Sequence, residues 1–355
     1  MTPNLFDLEA YDYDLPEERI AQNPADPRDS SRLMVLDRRS GAVQHAVFSD
    51  LGAFLAPGDL LVLNDTRVIP ARLRGVKRSG GRAEILLLKR TGGSWLEWEA
   101  LLRPSGKIPP GTEVLLPDGT PLRAGERLGD GVRIVRFPAG TDVPTLLASV
   151  GETPLPPYIT RSTAPSSSYQ TVFARRDGSS AAPTASLHFT EELLGRLTEK
   201  GLRIGWVTLH VGLGTFRPVK TGDIRAHHMH EEHCVLPGET RDLVADTKGR
   251  GGRVIAAGTT VARTLESFAA TGALEAGERD TGLFIYPGYR YRVVDGLITN
   301  FHLPKSSLLM LVAAFAGYEN IMEAYREAVA SQYRFFSFGD AMFIRSEHPT
   351  DEKGA

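Results

Sequence analysis

Four of the nine histidines in the chain fall between Trp206 and Glu232, at His210, His227, His228 and His230. Imidazole titrates near neutral pH, so a histidine at a strand end suits proton transfer on a bound small molecule. His210 has that setting. Val207, Leu209 and Val211 alternate with Thr208 and His210, and Gly212, Gly214 and Pro218 then break the strand pattern. The run from His227 to His233, with Glu231 and Glu232 inside it, also invites a metal site and hence a metal-dependent hydrolase. Against that, the run lacks the HExxH order, and Pro218 and Asp223 argue for irregular backbone.

Other segments could hold a ligand. Asn64-Asp65-Thr66-Arg67 follows the apolar run Leu60–Leu63, at the end of a strand where open α/β sheets bind ligands; a plain Asx turn is the alternative. Gly258-Thr259-Thr260 lies between a strand, Arg253–Ala257, and a helix through Arg263, and unpaired helix-start amides attract anionic or polar groups. His188 precedes a helix capped by Thr190, and His302 precedes an apolar helix, Ser306–Ala316. A G-x-S-x-G elbow, a G-x-G-x-x-G turn after a strand and a Walker loop are all missing, which argues against serine-hydrolase, nicotinamide and ATP chemistry.

The elements that must position these residues fall into two textures. Strands and helices alternate up to Asn64 and again after Thr141. Between them, Ala71–Lys77, Ala83–Lys89, Leu96–Leu102, Glu113–Leu116 and Val132–Phe137 read as short strands separated by Gly and Pro turns. The expected fold is therefore α/β: a mixed-sheet domain (1–66 plus 150–355) interrupted by an antiparallel β-barrel (67–149). Further strands are expected at Leu283–Tyr286 and Val293–Thr299, a mobile polar loop at Ser162–Gln170, and an ordered part that closes on Tyr333–Asp340.

The bulk numbers are those of a globular chain: 355 residues, 41% hydrophobic, 24% charged and a net charge of −2. A global basic field is absent, but Arg67 to Arg90 holds eight cations and one acid, Glu84. On a barrel face that is a reasonable RNA contact, or else a solvated face that deters edge pairing. Apolar runs fall short of the ~20 residues of a membrane helix, and the single Cys234 fits a reducing compartment. A soluble, cytoplasmic protein is expected.

Over nearly its whole length the chain resembles the S-adenosylmethionine:tRNA ribosyltransferase-isomerases of queuosine biosynthesis. The resemblance is carried by YDLPEERIAQ (13–22), LVLNDTRVIPARL (61–73), RPSGKIPPG (103–111), APTASLHFT (182–190), VTLHVGLGTFRPV (207–219) and HHMHEE (227–232). GTTVARTLES (258–267), FIYPGYRY (284–291), TNFHLPKSSLLMLVAAFAG (299–317) and YRFFSFGDAM (333–342) extend it. Ser186 stands where the family commonly has Gly.

The resemblance implies an α/β domain interrupted by a barrel, in agreement with the partition above. It implies transfer of the ribosyl group of S-adenosylmethionine to 7-aminomethyl-7-deazaguanine at the tRNA wobble position. The products are epoxyqueuosine-tRNA, adenine and methionine. S-adenosylmethionine is then consumed as a substrate, with no cofactor, no metal and no membrane; a monomer acting on tRNAs with GUN-type anticodons is expected. His210, His230, Glu232 and Asp65 become the candidate catalytic groups. Arg67, His188, Gly212, Gly214, Phe216, Gly258, Thr259, Thr260, Arg263 and His302 become candidate substrate contacts. The competing readings are the metal-dependent hydrolase and a non-catalytic RNA-binding protein.

Overall fold

Apolar runs that face packed layers on both sides make the centre of this molecule. In β3 (Leu60–Asn64) every residue is buried: Leu60 and Val62 join the core on one face of a sheet, and Leu61 and Leu63 join the core on the other. The computed structural model describes residues 3–129, 131–212, 219 and 221–346. Before β3 come β1 (Arg32–Asp37) and β2 (Val43–Val47); after it come β4 (Thr66–Val68) and six barrel strands. These are β5 (Arg72–Lys77), β6 (Arg82–Arg90), β7 (Glu97–Arg103), β8 (Glu113–Leu115), β9 (Pro121–Gly129) and β10 (Val132–Arg136).

Helix α1 (Val143–Val150), β11 (Arg176–Ser179) and α2 (Glu191–Glu199) return the chain to the main sheet. There follow β12 (Arg203–Leu209), β13 (Glu232–Leu236), α3 (Gly238–Gly249), β14 (Val254–Ala257) and α4 (Thr259–Phe268). The remaining elements are β15 (Gly277–Thr281), β16 (Gly296–Asn300), α5 (Ser307–Ala316), α6 (Tyr318–Ala330) and β17 (Ala341–Arg345).

The described strands form a nine-stranded mixed sheet in the order β15-β13-β12-β3-β14-β16-β17-β1-β2. Helices α4, α5 and α6 cover one face, while α2 and the 3₁₀ segment Phe48–Phe54 cover the other. The second sheet closes into the barrel β10-β7-β6-β5-β8-β9, whose core of Leu73, Ile85, Leu87 and Trp98 also takes Leu146 and Leu147 of α1. The expected fold class, an α/β body with an inserted antiparallel barrel, is what is found. A parallel pair, β4 with β11, lies where the chain enters the barrel and where it returns.

Three expectations need correcting. Leu283–Tyr286 is in neither sheet: β15 stops at Thr281, and the Leu283 carbonyl accepts a hydrogen bond from Arg263 instead of a ladder partner. The ordered chain does not close at Asp340. Ala341–Arg345 forms β17, parallel to β1 and antiparallel to β16, with its first four residues buried. The polar stretch 162–170 is tied down: Asn23 Oδ1 accepts from the Thr163 and Ala164 amides, and Tyr169 is buried. Its polarity reflects hydrogen bonding to another loop, which composition does not reveal.

Candidate functional site

The parallel strands β3 and β12 end side by side, with Asn64 opposite Val207. Asn64 ties this edge together. Its Nδ2 donates to the Leu209 carbonyl at 3.0 Å and to Thr260 Oγ1 at 3.3 Å, and its Oδ1 accepts from the amides of Leu209 and Thr66, both at 3.1 Å. One buried amide thus aligns two strand ends with the start of α4. The Thr66 amide bond to Asn64 Oδ1 is the Asx turn that the sequence offered as the alternative for the NDTR cluster, and the same side chain extends it into a tie between β3, β12 and α4.

His210 follows directly. Its amide donates to the His233 carbonyl at 3.0 Å, and its Nδ1 lies 2.8 Å from Thr66 Oγ1. In the tautomer that donates Nδ1–H to Thr66, Nε2 carries the basic lone pair. The ring lies against Gly178, where a Cβ would stand 2.9 Å from Nε2. Burial first, then the neighbouring His233, Arg90 and Arg176, push the His210 pKa down to about 4. The imidazole is therefore neutral at pH 7.

His210 and Gly212 line a polar cleft of about 600 Å³ between the main sheet and the barrel. Glu232 and the exposed His230 lie on the same cleft, and the barrel contributes Lys89, Arg90 and Glu99. Lys89 Nζ reaches across to Asp280 Oδ2 at 2.7 Å.

Alternation along β13 turns Glu232 inward and His233 outward. Glu232 Oε1 accepts from the Gly212 amide at 3.0 Å, and its other oxygen pairs with Arg263. Arg263 also donates Nε–H to the Leu283 carbonyl at 3.1 Å, and its side chain is only 3% exposed. Its guanidinium is therefore committed to Glu232 and the backbone, where a substrate contact was expected. A fully buried cation needs a fixed counter-charge, and Glu232 supplies it.

The other candidates divide. Asp65 is buried and accepts from Thr208 Oγ1 at 2.6 Å, and Arg67 is held by the Ala174 carbonyl at 2.7 Å; neither lines the cleft. His188 spans Ser31 Oγ at 2.8 Å and Asn300 Nδ2 at 3.1 Å, so both ring nitrogens are engaged, and burial lowers its pKa to about 4. Gly258, Thr259, Thr260 and His302 line a second cavity, of about 210 Å³. In it His302 Nε2 meets Thr299 Oγ1 at 2.9 Å, and burial pushes its pKa to about 3. Gly214 and Phe216 lie outside the described residues. Gly178 and the barrel residues Lys89, Arg90 and Glu99 were not foreseen as one site, since no spacing relates them to His210.

Among the described residues, no group of three or more His, Cys, Asp or Glu side chains is placed to hold a metal ion. In the His227–His233 run, His227 packs on Phe284, Glu232 faces Arg263 and His233 faces Asp280, so the ligands the hydrolase reading needs diverge. Also among the described residues, no helix is long and apolar enough to cross a membrane.

A family model described as queuosine biosynthesis protein matches residues 8–344. The chain is similar to an S-adenosylmethionine:tRNA ribosyltransferase-isomerase of Thermosipho africanus, 52% identical over 95% of this chain and 99% of the other. A protein of the same description from Citrifermentans bemidjiense is 53% identical, again over 95% and 99%. A solved structure, an S-adenosylmethionine tRNA ribosyltransferase from Thermotoga maritima, is 42% identical with a TM-score of 0.55 and covers 94% of this chain and 99% of its own.

Proposed function

The chain belongs to the S-adenosylmethionine:tRNA ribosyltransferase-isomerases of queuosine biosynthesis, and on that premise we propose how it acts. It moves the ribosyl group of S-adenosylmethionine onto 7-aminomethyl-7-deazaguanine at the wobble position of tRNAs with GUN-type anticodons. Epoxyqueuosine-tRNA, adenine and methionine are formed. The enzyme works as a cytoplasmic monomer without a cofactor, because the sulfonium itself supplies the activation. It acidifies the ribose C5′ protons; a base removes one, the electron pair forms C4′=C5′ as the C4′–O4′ bond breaks, and O4′ becomes the C1′ aldehyde oxygen as adenine departs with a proton. The amine of the modified base then adds to C4′ of this vinyl sulfonium, the resulting C5′ ylide closes on C1′, and the C1′ alkoxide displaces methionine from C5′ to form the epoxide.

His210 is the proposed base. The observation that supports it is the imidazole braced at Nδ1 by Thr66, on the cleft that the barrel cations also line. His230, exposed on that cleft, is the second candidate. Glu232 acts by fixing the Gly212 amide beside the base. Arg90 and Lys89 meet tRNA phosphate.

The test is to incubate the protein with S-adenosylmethionine and tRNA bearing the aminomethyl-deazaguanine, with EDTA present. The expected result is free adenine that depends on that tRNA. Loss of activity to EDTA would instead restore the metal-dependent reading, and tight tRNA binding without adenine release would point to a binding protein.

A further inference from the structure

Two cavities meet at one strand end, and their chemistry differs. Val211 lines the smaller cavity, while its neighbours His210 and Gly212 line the cleft, as alternation along an extended chain requires. The cleft is charged, with Lys89, Arg90, Glu99, Glu231, Glu232 and Asp280 around it. Among the described residues, the smaller cavity is lined by no Asp, Glu, Lys or Arg. Its walls are instead aromatic, from Tyr158, Phe301 and Phe336, with hydroxyl and amide groups from Thr184, Thr260 and Asn300.

We propose that the smaller cavity is the purine pocket: it takes the adenine ring of S-adenosylmethionine, and the ribose and methionine lie toward the cleft. The assignment rests on the ribosyl-transfer reading above. Its physical basis is charge. S-adenosylmethionine carries a sulfonium, an ammonium and a carboxylate, and the accepting base carries an amine; each is costly in a cavity without counter-charge. Adenine is the uncharged part, a flat ring with donors and acceptors on its edge. Aromatic walls suit its faces.

Two of the hydroxyls there are only loosely engaged, although Thr299 and His302 hold each other at 2.9 Å and Asn300 Nδ2 meets His188 at 3.1 Å. Thr184 Oγ1 donates to Asn300 Oδ1 at 3.3 Å, and Thr260 Oγ1 accepts from Asn64 at 3.3 Å, both at the long end of hydrogen-bond range, so a ligand can compete for them. The size also fits. A dry cavity of ~150 Å³ holds one benzene ring, and this one, about 210 Å³, has room for a fused bicycle but not for the whole nucleoside with its methionine.

The test uses the full chain with 2-azidoadenine, irradiated and mapped by peptide mass spectrometry. The expected label falls in 182–185, 299–308 or 336–337 and is suppressed by adenine and by S-adenosylmethionine. Label in 88–93 or 229–233, or no suppressible label anywhere, overturns the assignment. A second measurement uses Leu308→Trp, which fills the cavity from a half-buried wall position. It should raise the KM for S-adenosylmethionine at least about tenfold and leave the KM for tRNA within about twofold; an unchanged S-adenosylmethionine KM overturns the proposal. Tested separately, failure of the wild-type protein to release adenine from S-adenosylmethionine would sink the ribosyl-transfer reading. The label would still report whether the cavity takes a purine.

Discussion

His210 Nδ1 sits 2.8 Å from Thr66 Oγ1, so the proposed base leaves one strand end and is oriented by the strand beside it. A hydroxyl in that place holds the tautomer and ring angle without adding charge. Thr66→Val keeps the shape and removes the partner. It should lower kcat by about 10- to 100-fold with little change in the KM for S-adenosylmethionine, and Thr66→Ser should restore most of the loss. His210→Ala should lower kcat by about 10²–10⁴-fold while tRNA binding persists. Steady-state adenine release and a tRNA filter-binding assay check both.

The pH profile should carry the signature of the lowered His210 pKa. The neutral form is the active one, so depression to about 4 extends activity downward in pH. In kcat/KM, which reports the free enzyme, the acid limb should appear near pH 4 rather than near 6.5. Arg90 and Arg176 are among the charges that lower the value, and tRNA phosphates beside them would offset that. The acid limb of kcat should therefore sit at higher pH than the limb of kcat/KM. Coincident limbs would detach His210 from the phosphate-binding cations.

Stability should weaken in mild acid for a related reason. His188 and His302 are buried and neutral, with pKa values of about 4 and about 3. The unfolded chain binds their protons near 6.5 and the folded chain only well below, so the unfolded state gains as pH falls through that window. A shift from 6.5 to about 4 is worth on the order of 3 kcal/mol for one group once pH is below both values. Urea midpoints should fall from pH 7 to pH 5, before most carboxylates protonate, and fall less in His188→Gln.

The Glu232–Arg263 pair predicts a sharp asymmetry. Both side chains are under 5% exposed, so removing one partner strands a charge away from water. Glu232→Gln or Arg263→Met alone should cost about 3–5 kcal/mol in a denaturant titration, and the double variant should recover much of that. Additive losses would mean that the two residues act independently.

Arg90 faces the cleft from the barrel. Arg90→Ala should weaken tRNA binding and reduce the slope of log K against log salt by about one unit per lost phosphate contact. Its effect on the KM for S-adenosylmethionine should be small.

Much of the fold was legible because it rests on local signals. The run Leu60–Leu63 and the capping of α2 by Thr190, whose Oγ1 accepts from the Leu193 amide at 3.1 Å, follow from patterns a few residues long. The strand β9 begins at a proline and α3 at a glycine, so both lacked the usual start signals. In the site, His210 and Glu232 were visible as residue types, but their partners were not. Thr66 and Gly178 meet His210 through the long-range pairing of β4 with β11, and Arg263 meets Glu232 through the packing of α4 on β13. A periodic pattern places a side chain on a face; it does not name what lies opposite.

The position of β17 bears on how the polypeptide matures during synthesis. Among the described strands, β1 and β2 reach the rest of the main sheet through β17, in the register Leu33 opposite Ala341. A ribosome adding roughly 5–20 residues per second exposes β1 on the order of tens of seconds before its partner is made. Until then β1 has no strand to pair with on the side that β17 later fills, and its buried residues Leu33 to Leu36 have no sheet to cover them.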